Sequence, residues 1–114
     1  MNPTAFPRVG HLREPEATLR ASGALLGIFD LPASPSDTFT LARFVVPPGL
    51  ASTPDTHDVR EMWVILRGEG RLKLDGEETR VRAGEVLYFD SLQTHQLINE
   101  GEEAIELLSM WWRP

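Results

Sequence analysis

The chain has 114 residues and 41% hydrophobic content, enough for one compact domain and too short for two comfortable ones. Its net charge of −6 argues against nucleic acid or an anionic membrane surface as partner, because phosphate surfaces demand a basic face. Cysteine is absent, which removes disulfides, thiolate metal sites and cysteine nucleophiles together, so any metal site must use nitrogen and oxygen.

In chain order, residues 1–22 carry three of the nine prolines and no strong period. They read as an extended arm with one short strand, and the pattern over Glu14 to Ala21 gives little support to a helix. His11, in this arm, reads as a surface or interface histidine. The N-terminus lacks the basic-then-apolar order of a secretory signal, and no apolar run approaches the roughly 20 residues that span a bilayer. A cytoplasmic location is expected. Gly23 to Leu31 looks like a strand and the Pro/Ser-rich stretch 32–37 like a loop.

From Thr38 the strands come quickly. TFTLARFVV ends at Pro47-Pro48, EMWVILRG ends at Gly68, and GRLKLDG alternates before Asp75-Gly76. An Asp-Gly pair between alternating segments predicts a hairpin. GEVLYF, THQLIN and AIELLSMWW complete the set. Short strands at regular spacing with Gly/Pro corners predict an all-β barrel or sandwich.

The stretch between Gly49 and Gly68 concentrates the chemistry. Asp55, His57 and Glu61 fall within seven residues. On one extended strand their side chains would share a face, yet His57 and Glu61 would lie about 13 Å apart at roughly 3.3 Å per residue. One ion could not use both. A bend at Asp58-Val59-Arg60 is therefore expected to fold Glu61 back beside His57 on a neighbouring strand. A further ligand is expected at His95, which follows a strand beginning at Gly84 and a polar corner at Asp90-Ser91.

These two segments resemble the paired motifs of the cupin superfamily. Gly49, His57, Glu61 and Gly68 fall on the first motif, with Asp55 where its first histidine stands. Gly84, His95 and Asn99 fall on the second, with Asp90 and Leu92 in place of a proline and a glycine. The resemblance covers roughly residues 40 to 110 and implies a small jelly-roll β-barrel: one domain over 1–114, with residues 1–22 as an N-terminal arm and 38–112 as the barrel carrying both motifs.

A glutamate and two histidines inside a barrel mouth favour a bound cation, since a buried carboxylate is costly unless paired or metal-bound. His57, Glu61 and His95, with Asp55 as a direct or water-mediated fourth donor, are the expected ligands of one divalent ion. Two histidines and one carboxylate suit Fe(II), while added oxygen ligation suits Mn(II) or Zn(II); Ni(II) is also compatible. Alternation puts Trp63 and Ile65 on the face of Glu61, and Gln93 and Leu97 on the face of His95. With Tyr88 these are the expected walls of a substrate pocket. The resemblance implies a metal-dependent enzyme acting on a small polar molecule, of dioxygenase or isomerase/epimerase type. Two alternatives are a non-catalytic cupin that binds or senses a small ligand, and a barrel whose site is vestigial and which serves assembly. A homodimer is expected through the chain ends, because Phe6, Leu12 and Leu19 want cover and one of Trp111 and Trp112 must point out of the barrel.

Overall fold

The computed structural model describes residues 11–31 and 39–114; the Pro/Ser-rich stretch expected as a loop and Phe6 lie outside them. Nine strands follow one another without a helix among the described residues: β1 Thr18–Leu19, β2 Leu25–Ile28, β3 Thr40–Val46, β4 Arg60–Arg67, β5 Glu69–Leu74, β6 Glu77–Arg82, β7 Val86–Phe89, β8 His95–Ile98 and β9 Ile105–Trp112. The residues around Glu14 to Ala21 are extended, ending in β1. The strands make a six-stranded sheet, ordered β1-β2-β3-β9-β4-β7, and a three-stranded sheet, ordered β6-β5-β8. Two isolated bridges, Ala51 to Ile98 and Asp55 to His95, lay residues 51–55 along the free side of β8.

Alternation fixes which residues face between the sheets. In the large sheet Phe44, Leu107 and Ile65 stand in register, as do Ala42, Ser109, Trp63 and Leu87 one pair further along. Leu72, Val81 and Leu97 from the small sheet meet Val46, Ile65, Phe89, Ile105 and Leu107 from the large one in a single buried core. At this level of burial each large side chain contributes about 1.5–3 kcal/mol, which explains why both sheets hold their faces in one register.

The corners follow the sequence. Asp75 and Gly76 both have positive φ, 49° and 86°, the pattern of a two-residue type I′ hairpin, and β5 and β6 pair from Leu74/Glu77 outward. Gly68 has a φ of 82°, and a Cβ there would lie 2.6 Å from the carbonyl oxygen of Ala104. Glycine is therefore required at the corner between β4 and β5. Asn99 is buried; its side-chain amide donates to the carbonyls of Val46 and Glu103 and accepts from the Gly101 N–H, tying β3 to the turn before β9.

One expectation is corrected. The chain does bend at Asp58 and Val59, but Glu61 does not return on a strand beside the 51–55 segment. Asp55 exchanges two backbone hydrogen bonds with His95, each 3.0 Å, which commits its segment to the small sheet. β4 pairs instead with β7 and β9 in the large sheet. The bend carries the chain from one sheet to the other, so Glu61 approaches from across the interior.

Candidate metal centre

Asp55 and His95 are direct cross-strand neighbours, and such pairs project their side chains to the same face. His57, two residues on, lies before the bend. The main chain holds it there: the Leu92 N–H donates to the His57 carbonyl at 2.6 Å, and the Ser91 hydroxyl donates to the Asp58 carbonyl at 3.1 Å. Ligand atoms of Asp55, His57 and His95 all lie within 4.8 Å of one another. That span is close to twice the roughly 2.0–2.2 Å length of a metal–nitrogen or metal–oxygen bond.

Glu61 is not in that group. Its Oε2 accepts hydrogen bonds from Trp63 Nε1 and the Ser109 hydroxyl, both 2.6 Å, while its Oε1 lies 3.3 Å from His95 Nε2. Strand register explains both donors. Trp63 is two residues along the same face, and Ser109 lies directly opposite Trp63 on β9. Burial pushes the Glu61 carboxyl up, but hydrogen bonds from His95, Ser109 and Trp63, with the charge of His95, outweigh it and hold the carboxyl below its ordinary 4.5. For His95, burial works against the charged form; the hydrogen bond and charge of Glu61, the Gln93 carbonyl and the charge of Asp55 outweigh it and raise the imidazole above 6.5. The two shifts agree in describing one buried pair.

His95 is fixed on every side. Its ring stacks on Phe89 with centroids 4.8 Å apart and packs edge-on against Trp63 at 5.5 Å. Its Nδ1 lies 3.3 Å from the Gln93 carbonyl, the partner that leaves Nε2 as the ligating atom when the ring is neutral. The converging donors, two imidazoles and the Asp55 carboxylate, fit a divalent first-row ion and need no thiolate.

These groups line a cavity of about 320 Å³ with Arg20, Ser22, Leu26, Phe44, Ser52 and Trp111 among its other walls. Of the expected pocket walls, Trp63 lines it and the others do not. Ile65 and Leu97 are buried in the core, one strand repeat too deep to reach the cavity. Tyr88 lies on the outer face, 49% exposed, and donates to Asp90 at 2.9 Å. Gln93 braces the corner: its Oε1 accepts from the Asp90 N–H at 2.9 Å, a bond a proline at that position could not make. Arg20, Ser22, Ser109 and Trp111 carry no motif signal. The alternation of β9 through Ile105, Leu107, Ser109 and Trp111 is the signal that could have found the last two, whereas Arg20 and Ser22 sit on a turn whose position no local pattern reveals.

The sequence matches the family model described as cupin domain over residues 42–111. A protein of Thermotoga maritima named oxalate-binding protein is 33% identical over 70 residues, 60% of this chain and 58% of its own length. The chain thus matches less than two thirds of that relative. Among solved structures, a cupin 2 conserved barrel domain protein from Salinispora arenicola superposes with a TM-score of 0.79 at 23% identity, over 92% of this chain and 90% of its own. A structure from Thermotoga maritima described as a predicted oxalate decarboxylase gives 0.72 at 25% identity, over 88% of this chain and 92% of its own. Both the two-sheet architecture and the family match lead to one assignment: the chain belongs to the cupin family.

Proposed function

We propose that this protein is a metal-dependent cupin enzyme that binds a small, oxygen-rich acid in its cavity against one divalent ion. The observation that carries this reading is the convergence of Asp55, His57 and His95 within 4.8 Å on the wall of an aromatic-lined cavity, with Glu61 facing His95. The similarity to a protein named oxalate-binding protein supports a small acid as the ligand. Asp55, His57 and His95 would hold the ion, with the Glu61 carboxylate beside His95 as a further donor. When bound, such an ion supplies Lewis-acid stabilisation of charge developing on a substrate oxygen. The residues of the chain bind and orient: Trp63 and Ser109 hold the Glu61 carboxylate in place, and Phe44, Trp63 and Trp111 exclude water from the ligand's apolar portion. A set with two histidines, carboxylate ligation and open positions suits oxygenation or isomerisation of a chelated substrate.

Protein purified without chelators is expected to carry about one divalent ion per chain, measured by elemental analysis. The double variant His57→Ala, His95→Ala is expected to carry none while keeping its β-sheet circular dichroism. Equal metal content in the two proteins would overturn the site. Oxygen-consumption and isomerase screens on the loaded protein then read the reaction class, and inactivity in both across small acids that bind would remove the enzymatic part of the proposal.

A further inference from the structure

We propose that Arg20 sets the specificity of the cavity by pairing with a second carboxylate, so that the preferred ligand is a small dicarboxylic acid carrying a chelating hydroxyl or oxo group at its other end. This rests on the metal-centre reading above. Arg20 follows β1 and opens the turn into β2. The turn is braced by its own main chain: the Arg20 N–H donates to the Ala24 carbonyl at 2.8 Å, and the Arg20 carbonyl accepts from the Gly23 N–H at 2.9 Å. The Ser22 hydroxyl adds a bond from the Ala24 N–H at 3.3 Å. None of these uses the guanidinium, and Arg20, an exposed residue, is one of those that line the cavity.

Arg20 is the one arginine or lysine among the described residues lining that cavity, whose other formally charged lining groups are Asp55, Asp58 and Glu61. Elsewhere Arg43, Arg67, Arg71, Arg80 and Arg113 each pair with a carboxylate. Arg20, like Arg13, Arg60, Lys73 and Arg82, makes no such pair among the described residues, and of these it alone lines the cavity. The charge balance gives this weight. The formal charges of Asp55 and Glu61 balance those of a divalent ion, and Asp58 is paired with Arg113 at 3.1 Å. Arg20 is then the group that offers net positive charge to an incoming acid. Its planar fork matches a carboxylate with two parallel hydrogen bonds. The cavity, about 320 Å³, is at the small end of the range for ligand sites, which favours a free acid over a large conjugate. The chelating end of such an acid meets the ion, and the distal carboxylate meets Arg20.

Titration calorimetry of manganese-loaded protein with malate and with lactate tests this, because the two share the 2-hydroxy acid end and differ in the second carboxylate. Wild type is expected to bind malate about tenfold or more tightly than lactate, the scale of a charge-assisted hydrogen bond to a carboxylate. Arg20→Gln is expected to remove that preference and leave lactate affinity and manganese content unchanged. Arg20→Lys keeps the charge without the fork and is expected to retain part of the preference. A wild type that binds malate no better than lactate overturns the role of Arg20, as does an Arg20→Gln variant that keeps the preference or weakens both acids equally. Failure of wild type to hold manganese, zinc or iron would instead overturn the metal centre itself, which separates the two readings.

Discussion

Glu61 and His95 show how much one residue's behaviour depends on what lies across from it. A carboxylate in this interior, without donors, would be pushed toward its neutral form. Trp63, Ser109 and His95 reverse that, and a pH dependence of the metal-free protein follows. Because the folded pKa of Glu61 is depressed, its stabilising contribution is present above the unfolded value near 4.5 and is lost as pH falls through the folded value. Because the folded pKa of His95 is raised, its contribution is full below 6.5 and is lost as pH rises through the folded value. Chelator-treated protein should therefore be most resistant to urea between these limits. Ser109→Ala should narrow that window from the acid side, since it removes one donor from Glu61. A urea midpoint that keeps rising from pH 6 to pH 9 without metal would contradict the pairing. At this scale the sequence was informative about identity and poor about partnership. Histidine and carboxylate spacing marked residues 55, 57, 61 and 95, but that Glu61 faces His95 while Asp55 and His57 converge with it depends on which sheet each segment joins.

Among the elements, the corner between β7 and β8 departs most from what its residues prefer. Leu92 has a φ of 69°, in the left-handed region that costs an ordinary L residue about 1–2 kcal/mol. It also stands where the related motif carries glycine, so the same backbone shape is kept without the residue that suits it. Its side chain is 67% exposed and loses little by removal. Leu92→Gly is expected to stabilise the fold by about 1 kcal/mol, net of the entropic cost of glycine, whereas Leu92→Ala keeps the strain and gains nothing. Urea unfolding of the three proteins checks this; glycine no more stable than alanine would mean the corner is unstrained. The strands themselves were legible because alternation and Gly/Pro corners are local signals: Asp75-Gly76 predicted its hairpin and Gly68 its stop. A short strand was expected within residues 1–22, but the position of β1 was not legible, since two exposed residues, Thr18 and Leu19, have too little pattern and acquire strand geometry only by pairing with β2.

For the whole molecule, the outer face of the large sheet bears on association. Trp111 lines the cavity, and Trp112 instead lies near Tyr88, ring centroids 6.4 Å apart, so one tryptophan points each way, as alternation in the sequence requires. Register sets Leu41, Met110, Met62 and Tyr88 in one row of that outer face and Arg43, Leu108, Val64 and Val86 in the next. Arg43 is its charged member and is in ion-pair range of Glu106. We propose a second copy of the chain as the occupant of this face. Two molecules of net charge −6 approach with least repulsion through a face that is mostly apolar and carries Arg43, and aromatic and Met side chains are enriched at interface centres. Light scattering at micromolar concentration should show a dimer that Trp112→Ser weakens and Trp111→Ser does not; a monomeric wild type would end the idea. The overall architecture was readable from strand spacing and the paired motifs. The outer surface was not, because it emerges only when four strands distant in sequence are aligned side by side.

The division of the candidate ligands between the two sheets has a thermodynamic side. Asp55, His57 and His95 hang from the small sheet and its flanking segment, and Glu61 from the large one, so a bound ion would be a fastener between layers that already meet there through the Glu61–His95 pair. Occupancy and closure of the sandwich then become linked equilibria. Any ion or acid that binds the closed form raises its stability in proportion to the logarithm of ligand concentration, and the layers cannot part without the ligand set coming apart with them.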